Sequence, residues 1–278
     1  RFFMQALAFE NKEFNLKEPF NGLFTQGMVC HETYKDPNNN WVAPDEVENI
    51  NGKKYLKSDN TKIISVGPSE SMSKSKRNTI DPENIISSYG ADSARLFILS
   101  DSPPEKDVQW SEEGIASSFK FIQKLWNLNL KILDEIKKNH KNDADLELEK
   151  YINKFLKRVT DNLESFSYNK IIANLHEAYS FLVKQINVKY SKKTLTKNYE
   201  KMLIAMMPII PHFSSECLNL INTKTVSWPM YNKDLIQEEI TNIVLWLDRW
   251  TRLNQIILHK ILILIELKLL SLCYISMI

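Results

Sequence analysis

The sequence predicts a mainly α-helical protein in two parts, a small mixed α/β part followed by a helical bundle. Three observations predict it. From Trp110 onward, apolar residues recur at steps of three and four over several long runs, the period of helices with one buried stripe. Before about residue 102 the segments are short, with Pro19, Gly22 and Gly27 as breakers and a loosely alternating run at 45–66. Between the two parts, Ser102-Pro103-Pro104 reads as a boundary.

Residues 1–12 read as a helix carrying Phe2, Phe3, Leu7 and Ala8. Gln26-Gly27-Met28-Val29-Cys30 reads as a buried strand after a turn, and 36–40 as a loop. Trp41-Val42-Ala43-Pro44 is extended because a residue before proline is pushed out of the helical region. Residues 45–66 fit a small β-excursion, and Ser65 to Asn78 reads as a Ser/Lys/Arg-rich loop. Asp81-Pro82-Glu83 starts a helix with a carboxylate N-cap and proline in the first turn. Gly90 is expected to close that helix as a left-handed cap, and Ala91 to Leu99 forms another.

Five helical runs follow. Ser111 caps the first, with its stripe at Ile115, Phe119, Ile122, Trp126, Leu133 and Ile136. The second carries Leu148, Ile152, Phe155, Val159, Leu163 and Phe166, and the third Ile172, Leu175, Tyr179, Leu182 and Ile186. The fourth carries Leu195, Tyr199, Met202, Leu203 and Met206 and stops at Pro208. The fifth runs from about Pro211 through Phe213, Cys217 and Leu220. Short polar connectors make this a bundle of about five members.

Composition narrows the function. Lys and Arg number 36 against 34 Asp and Glu, so the net charge of +2 gives no global field and a nucleic-acid partner must meet a local patch. Only six of the 278 residues are glycine, which argues against a complete dinucleotide-binding sheet with Gly-rich phosphate turns. Cys30, Cys217 and Cys273 are widely spaced, so free thiols in a reducing compartment are expected. The five histidines form no H-E-x-x-H or related pattern, and no metal site is expected.

The ends depart from the rest. The chain opens with Arg1-Phe2-Phe3 and shows no signal peptide, as a piece of a longer protein would. After about Asn242 the composition shifts, and Ile256 to Ile278 is packed with Ile and Leu. Lys260, Glu266 and Lys268 interrupt it, which disfavours a membrane span. An amphipathic or buried helix would fit, and so would translation of A/T-rich DNA in a shifted frame.

The chemistry concentrates in Ser71-Met72-Ser73-Lys74-Ser75-Lys76-Arg77-Asn78-Thr79-Ile80-Asp81-Pro82. A hydroxyl-rich loop with Lys74, Lys76 and Arg77 can fold over a polyphosphate and neutralise its charge. Taken alone, the run is explained more simply as a solvated basic loop. The run Lys184, Lys189, Lys192, Lys193, Lys197 and Lys201 is either a solvated face or a set of phosphate contacts, and both readings stay open. Trp126, Phe119 and Phe121 lie at helical spacing and read as packing, as does His212 at a helix start. Cys217 reads as buried and inert.

With its neighbours the loop resembles that of class I aminoacyl-tRNA synthetases, specifically bacterial-type leucyl-tRNA synthetases. Ser71 to Ser75 matches the K-M-S-K-S signature, with Ser71 in place of the first lysine. Ile80-Asp81-Pro82 and the run from Tyr89 to Phe97 match the I-D-P and Y-G-A-D-x-x-R-L-F that follow it. Upstream, Leu23 to Val29 resembles L-x-T-Q-G-M-V and Trp41 to Pro44 resembles W-V-x-P; downstream, Gln109-Trp110-Ser111, Phe121 to Trp126 and Met207 to His212 resemble parts of the family's helical domain. The resemblance covers roughly residues 1 to 243.

The resemblance implies the C-terminal part of a class I, Rossmann-like α/β catalytic domain (1–102) with a short leucine-specific insertion at about 38–66. A helical tRNA-binding bundle of the anticodon-binding type (103–236) follows, and then the start of a C-terminal domain (237–278) that reads as frameshifted. The intact enzyme would activate leucine with ATP, Mg2+ accompanying the nucleotide, and pass leucyl to tRNA(Leu). It would be monomeric and cytoplasmic, with no membrane contact and no bound cofactor. Lys74 matches the ATP-contacting lysine, with Met72, Ser73 and Ser75 shaping the loop. Ser71 removes one cation, which Lys76 or Arg77 would replace. Arg158, Asn162, Lys192 and Lys193 are the tRNA-contact candidates. The family's H-x-G-H motif, leucine pocket and editing domain have no counterpart here, so this chain alone is expected to be inactive. Two alternatives stay open: a non-catalytic tRNA- or protein-binding module with a decayed loop, and a related isoleucyl, valyl or methionyl enzyme.

Overall fold

A computed structural model describes residues 1–11, 18–138, 145–223 and 227–236. Helix α1 (Phe2–Glu10) buries none of its residues, and Phe2, Phe3 and Phe9 lie in the open. Strand β1 (Val29–Lys35) is the centre of a small sheet. Strand β2 (Trp41–Val42) pairs antiparallel with its C-terminal end. After a 3-10 turn at Pro44–Glu46 come β3 (Val47–Ile50), β4 (Lys53–Leu56) and β5 (Asp59–Ile63), an antiparallel meander. Asn51-Gly52 turns β3 into β4 with φ of 51° and 80°, the positive values a two-residue hairpin requires. Tyr34, Val42 and Ile64, with Val47 and Leu56 against them, pack the meander onto β1 and β2. The β-excursion read at 45–66 is therefore this meander.

Strand β6 (Ser65–Ser71) runs antiparallel along the other edge of β1, from Lys35 opposite Ser65 to Cys30 opposite Ser71. This corrects the reading of Ser65 to Asn78 as loop: its first seven residues are strand. Ser-Val-Gly-Pro-Ser-Glu-Ser has no apolar alternation to announce a strand, and its side chains stay largely exposed. Backbone pairing makes it, not side-chain burial. Pro68, which cannot donate to the ladder, offers its carbonyl to the Thr33 hydroxyl at 3.1 Å, where the register shifts between Glu32 and Tyr34. Gly67 is needed here because a Cβ would stand 2.5 Å from the Thr33 hydroxyl oxygen.

Helix α2 (Pro82–Tyr89) is capped as its sequence says: the Asp81 carboxylate accepts the Glu83 N–H at 3.0 Å. Gly90 ends it at φ 81°, ψ 153°, so the expected left-handed cap is instead an extended positive-φ conformation. Helix α3 (Ala91–Ser100) follows, then β7 (Val108–Gln109), which lies parallel to β1 through Val29 and Cys30. This is a short parallel pair in a sheet whose other pairings are antiparallel.

Five helices complete the described chain: α4 (Glu112–Lys138), α5 (Asp145–Glu164), α6 (Tyr168–Gln185), α7 (Lys192–Met206) and α8 (Pro211–Leu220). Their starts are chemically marked. The Ser111 hydroxyl accepts the Gly114 N–H at 3.1 Å, the Ser191 hydroxyl accepts the Thr194 N–H at 3.3 Å, and Pro211 opens α8. One apolar core joins α3 to all five. The stripe predicted for α4 is rotated. Ile115, Phe121, Leu125, Leu128 and Ile132 are buried, whereas Ile122, Trp126 and Ile136 lie on its shoulder. Apolar residues occupy two adjacent faces of α4, and periodicity alone does not say which one the partners cover. Phe166 and Leu220, placed on buried stripes by spacing, are exposed because each sits where its helix is ending.

Candidate functional site

The signature loop leaves β6 at Ser71 and returns to α2 at Asp81. Its first limb is tied down by the Met72 N–H, which donates to the Val29 carbonyl at 3.2 Å. Its second limb is tied down by Asn78, whose side chain is fully buried. The Asn78 Oδ1 accepts the Ser73 N–H at 2.8 Å, and Nδ2 donates to the carbonyls of His31 and Glu70, each at 3.2 Å. Between these anchors the chain makes a tight turn: the Ser73 hydroxyl lies 3.3 Å from that of Ser75 and accepts the Lys76 N–H at 3.3 Å. Arg77 adopts φ 53°, and its N–H donates to the Lys74 carbonyl at 3.3 Å.

The three cations of the loop are used differently. Lys76 pairs with Glu70 of β6. Arg77 donates to the Glu46 carboxylate at 2.9 Å and to the Trp41 carbonyl at 3.3 Å. The Glu46 carboxyl is held below its ordinary range, first by the Ala43 N–H and then, against burial, by Arg77. Lys74 is exposed at the apex, and among the described residues no hydrogen bond or ion pair engages its ammonium. The expectation that Lys76 or Arg77 replaces the cation missing at Ser71 thus meets side chains already committed to carboxylates. Ser71 itself is the last residue of β6, opposite Cys30. Sequence reasoning missed Asn78. Its signal was a lone Asn beside a Ser/Lys/Arg run, a residue able to accept and donate at once where backbone must be tied to backbone.

Other motif residues acquire physical reasons. Gly27 lets its backbone approach that of residues 104–107: its N–H donates to the Pro104 carbonyl at 2.8 Å, and a Cβ there would stand 2.1 Å from the Lys106 oxygen. Asp92, nearly buried in the first turn of α3, accepts the Phe213 N–H of α8 at 2.7 Å and holds Arg95 at 3.1 Å. One carboxylate thereby faces the positive ends of two helices and ties the loop-bearing part to the bundle. His212 lines a groove of about 930 Å³ with Ile86, Tyr89, Trp126 and Phe213.

The tRNA-contact candidates fall into two groups. Lys192 and Lys193 are exposed in the first turn of α7, beside Asp145 at the start of α5 through that residue's bond to Ser191. Arg158 pairs with Glu177 at 2.9 Å, and Asn162 stands a turn further on, where its carbonyl accepts the Ser167 N–H at 2.8 Å. Thirteen residues of helix separate Asp145 from Arg158, about 20 Å. The structure therefore does not gather the four into one patch. Lys201 is partly buried, and that burial, followed by Lys197 nearby, lowers its pKa.

Cys30 and Cys217 are free and buried, and burial pushes the Cys217 thiol up to about 12. Cys273 and the expected non-native stretch at 237–278 lie outside the described residues. Among the described residues no group of three or more His, Cys, Asp or Glu side chains is placed to hold a metal ion, and no helix is long and apolar enough to cross a membrane.

Comparisons with known proteins agree on one family. Residues 60–111 match the family described as tRNA synthetases class I (I, L, M and V), and residues 145–264 match the anticodon-binding domain of tRNA ligase. A leucine–tRNA ligase of Bartonella bacilliformis is 42% identical over 86% of this chain and 29% of its own length. One from Orientia tsutsugamushi is 40% identical over 85% of this chain and 28% of its own. The chain thus spans about three-tenths of the length of these curated relatives. An Agrobacterium radiobacter K84 LeuRS, solved as a ternary complex with tRNA and LeuAMS, superposes with a TM-score of 0.62 at 21% identity. It covers 85% of this chain and 27% of that one, a likeness of fold. On the two domain matches and relatives at about 40% identity, the chain belongs to the class I tRNA synthetases, in the leucine–tRNA ligase family.

Proposed function

We propose that this chain is the part of a leucine–tRNA ligase that carries the signature loop and the tRNA-binding bundle. The longer protein activates leucine with ATP, releasing pyrophosphate, and transfers leucyl to tRNA(Leu). Residues 1–102 supply the end of the catalytic domain, with 38–66 as its insertion, 103–236 the bundle, and 237–278 a tail of different character. The observation that carries the reading is Lys74, a cation without a partner among the described residues, at the apex of a loop whose other cations are paired. An ammonium held so, beside the hydroxyls of Ser73 and Ser75, can stabilise charge developing on the α-phosphate and the departing pyrophosphate. Met72 anchors the loop's start. Removing one such preorganised interaction costs roughly 3–4 kcal/mol of transition-state stabilisation.

Mg2+ would arrive with the nucleotide rather than reside in this chain. Lys192, Lys193, Arg158 and Asn162 would touch the tRNA backbone at two places along the bundle, gripping the tRNA body without reading the anticodon. Arg158 would exchange Glu177 for phosphate on binding. The longer protein is read as a cytoplasmic monomer, and the isolated chain as inactive. The test is ATP–pyrophosphate exchange by the longer protein with each of leucine, isoleucine, valine and methionine, followed by charging of tRNA(Leu). Exchange that depends on leucine supports the reading. Exchange with another amino acid, or none in a folded protein, overturns it.

A further inference from the structure

The geometry points to Asn78 as a positioning residue for the adenylation step: its buried amide clamps the base of the signature loop so that Lys74 is presented from a fixed platform. This rests on the reading of the loop proposed above. Three backbone segments meet at this one side chain. His31 belongs to β1, Glu70 to β6 and Ser73 to the loop, and Asn78 bonds to all three from a fully buried position.

The bonding pattern demands an amide. One face must accept an N–H and the other must donate to two carbonyls, which a carboxylate cannot do and an apolar side chain cannot begin to do. Both limbs are then fixed: Met72 on Val29 before the turn, and Arg77 on Glu46 and Trp41 after it. What these ties leave between them is the tip of the turn, Lys74 and Ser75, with the Lys74 ammonium outermost. The clamp therefore confines the loop's movement to a few residues and sets the direction in which the ammonium is offered. Asn78 touches no substrate and acts through Ser73 and the turn.

The test uses the longer ligase with three variants, Asn78→Ala, Asn78→Asp and Lys74→Ala. Two steps are measured: leucine-dependent ATP–pyrophosphate exchange, with kcat and KM separated, and transfer of leucyl from supplied leucyl-adenylate to tRNA(Leu). The second step has no pyrophosphate to neutralise and serves as the control for folding. Asn78→Ala is expected to lower the exchange kcat tenfold or more, approaching the roughly hundredfold cost of a ~1 Å misplacement, while transfer and the KM for leucine hold. Asn78→Asp keeps the acceptor for Ser73 but turns a buried carboxylate oxygen toward the His31 and Glu70 carbonyls, so its exchange kcat should fall at least as far as that of Asn78→Ala. Exchange and transfer falling together in both Asn78 variants would make the residue merely structural and overturn the proposal. Exchange unchanged in Asn78→Ala, with Lys74→Ala impaired, overturns the Asn78 role and leaves the loop reading intact. Exchange unchanged in Lys74→Ala overturns the loop reading and this proposal with it.

Discussion

In the bundle, Leu156, Leu203 and Ile210 are among the side chains with no exposure; at the base of the signature loop, the side chain with none is Asn78. The two regions are held by different physics. Apolar burial is non-directional, so the bundle's shape follows from which faces of its helices are greasy and tolerates exchange among residues of like volume. The loop has almost no apolar material of its own. It is shaped by a few directional bonds, and each is costly to leave unmade in a buried place. The bundle should therefore lose stability under substitution while keeping function per folded molecule, whereas the loop should lose function in molecules that still fold.

The largest effect should come from opening the bundle. Leu203→Ala, at a position with no exposure, should destabilise by roughly 2–5 kcal/mol in chemical or thermal unfolding. Leu203→Met should cost under about 1.5 kcal/mol. Equal costs for the two would mean that packing is not what holds this region. Next is the joint between the regions. Asp92→Ala leaves the Phe213 N–H without its acceptor and should cost about 1–3 kcal/mol, seen as a lower unfolding midpoint. Asp92→Asn, which keeps an acceptor, should cost less.

Smaller still is the effect at the α7 terminus. Replacing Lys192 or Lys193 by Ala should weaken tRNA binding evenly across sequences. It should also flatten the salt dependence by about one unit of slope for each phosphate no longer neutralised, read from binding at several salt concentrations. The smallest concerns acid. Burial raises the pKa of Asp145, but the Ser191 and Thr194 bonds outweigh it and leave the carboxyl below its ordinary 3.8. A lowered folded pKa means that this stabilisation is complete above the unfolded value and is lost as pH falls through the folded one. Asp145→Asn should therefore cost stability at neutral pH, and that loss should fade as pH falls below about 4, which narrows the difference between neutral and acid solution. An equal loss at every pH would show that its hydrogen bonds, not its charge, matter.

The same contrast explains what the sequence could tell. Helices α5 and α7 were legible because Leu148, Ile152, Phe155, Leu195, Met202 and Leu203 repeat the helical period and all of them are buried. The start of α2 was legible because Asp81, Pro82 and Glu83 are local chemistry. Strand β6 was not, since its partner β1 lies thirty-odd residues away and the pairing involves backbone alone. The face of α4 that is buried was not either, because tertiary partners choose between two apolar faces. At the loop, Lys74 could be singled out by its motif, whereas the pairing of Lys76 with Glu70 and Arg77 with Glu46 depends on the fold. Asn78 was invisible for the same reason: its three partners come from three segments.

The most direct measurement compares Lys74→Ala with Lys76→Ala in the longer ligase by single-turnover formation of leucyl-adenylate. The two lysines are two residues apart, yet among the described residues one has no partner and the other is bound to a carboxylate. Lys74→Ala should slow adenylation by about a hundredfold to a thousandfold, whereas Lys76→Ala should change it by only a small factor. Equal losses for the two, or an undiminished rate in Lys74→Ala, would contradict the account.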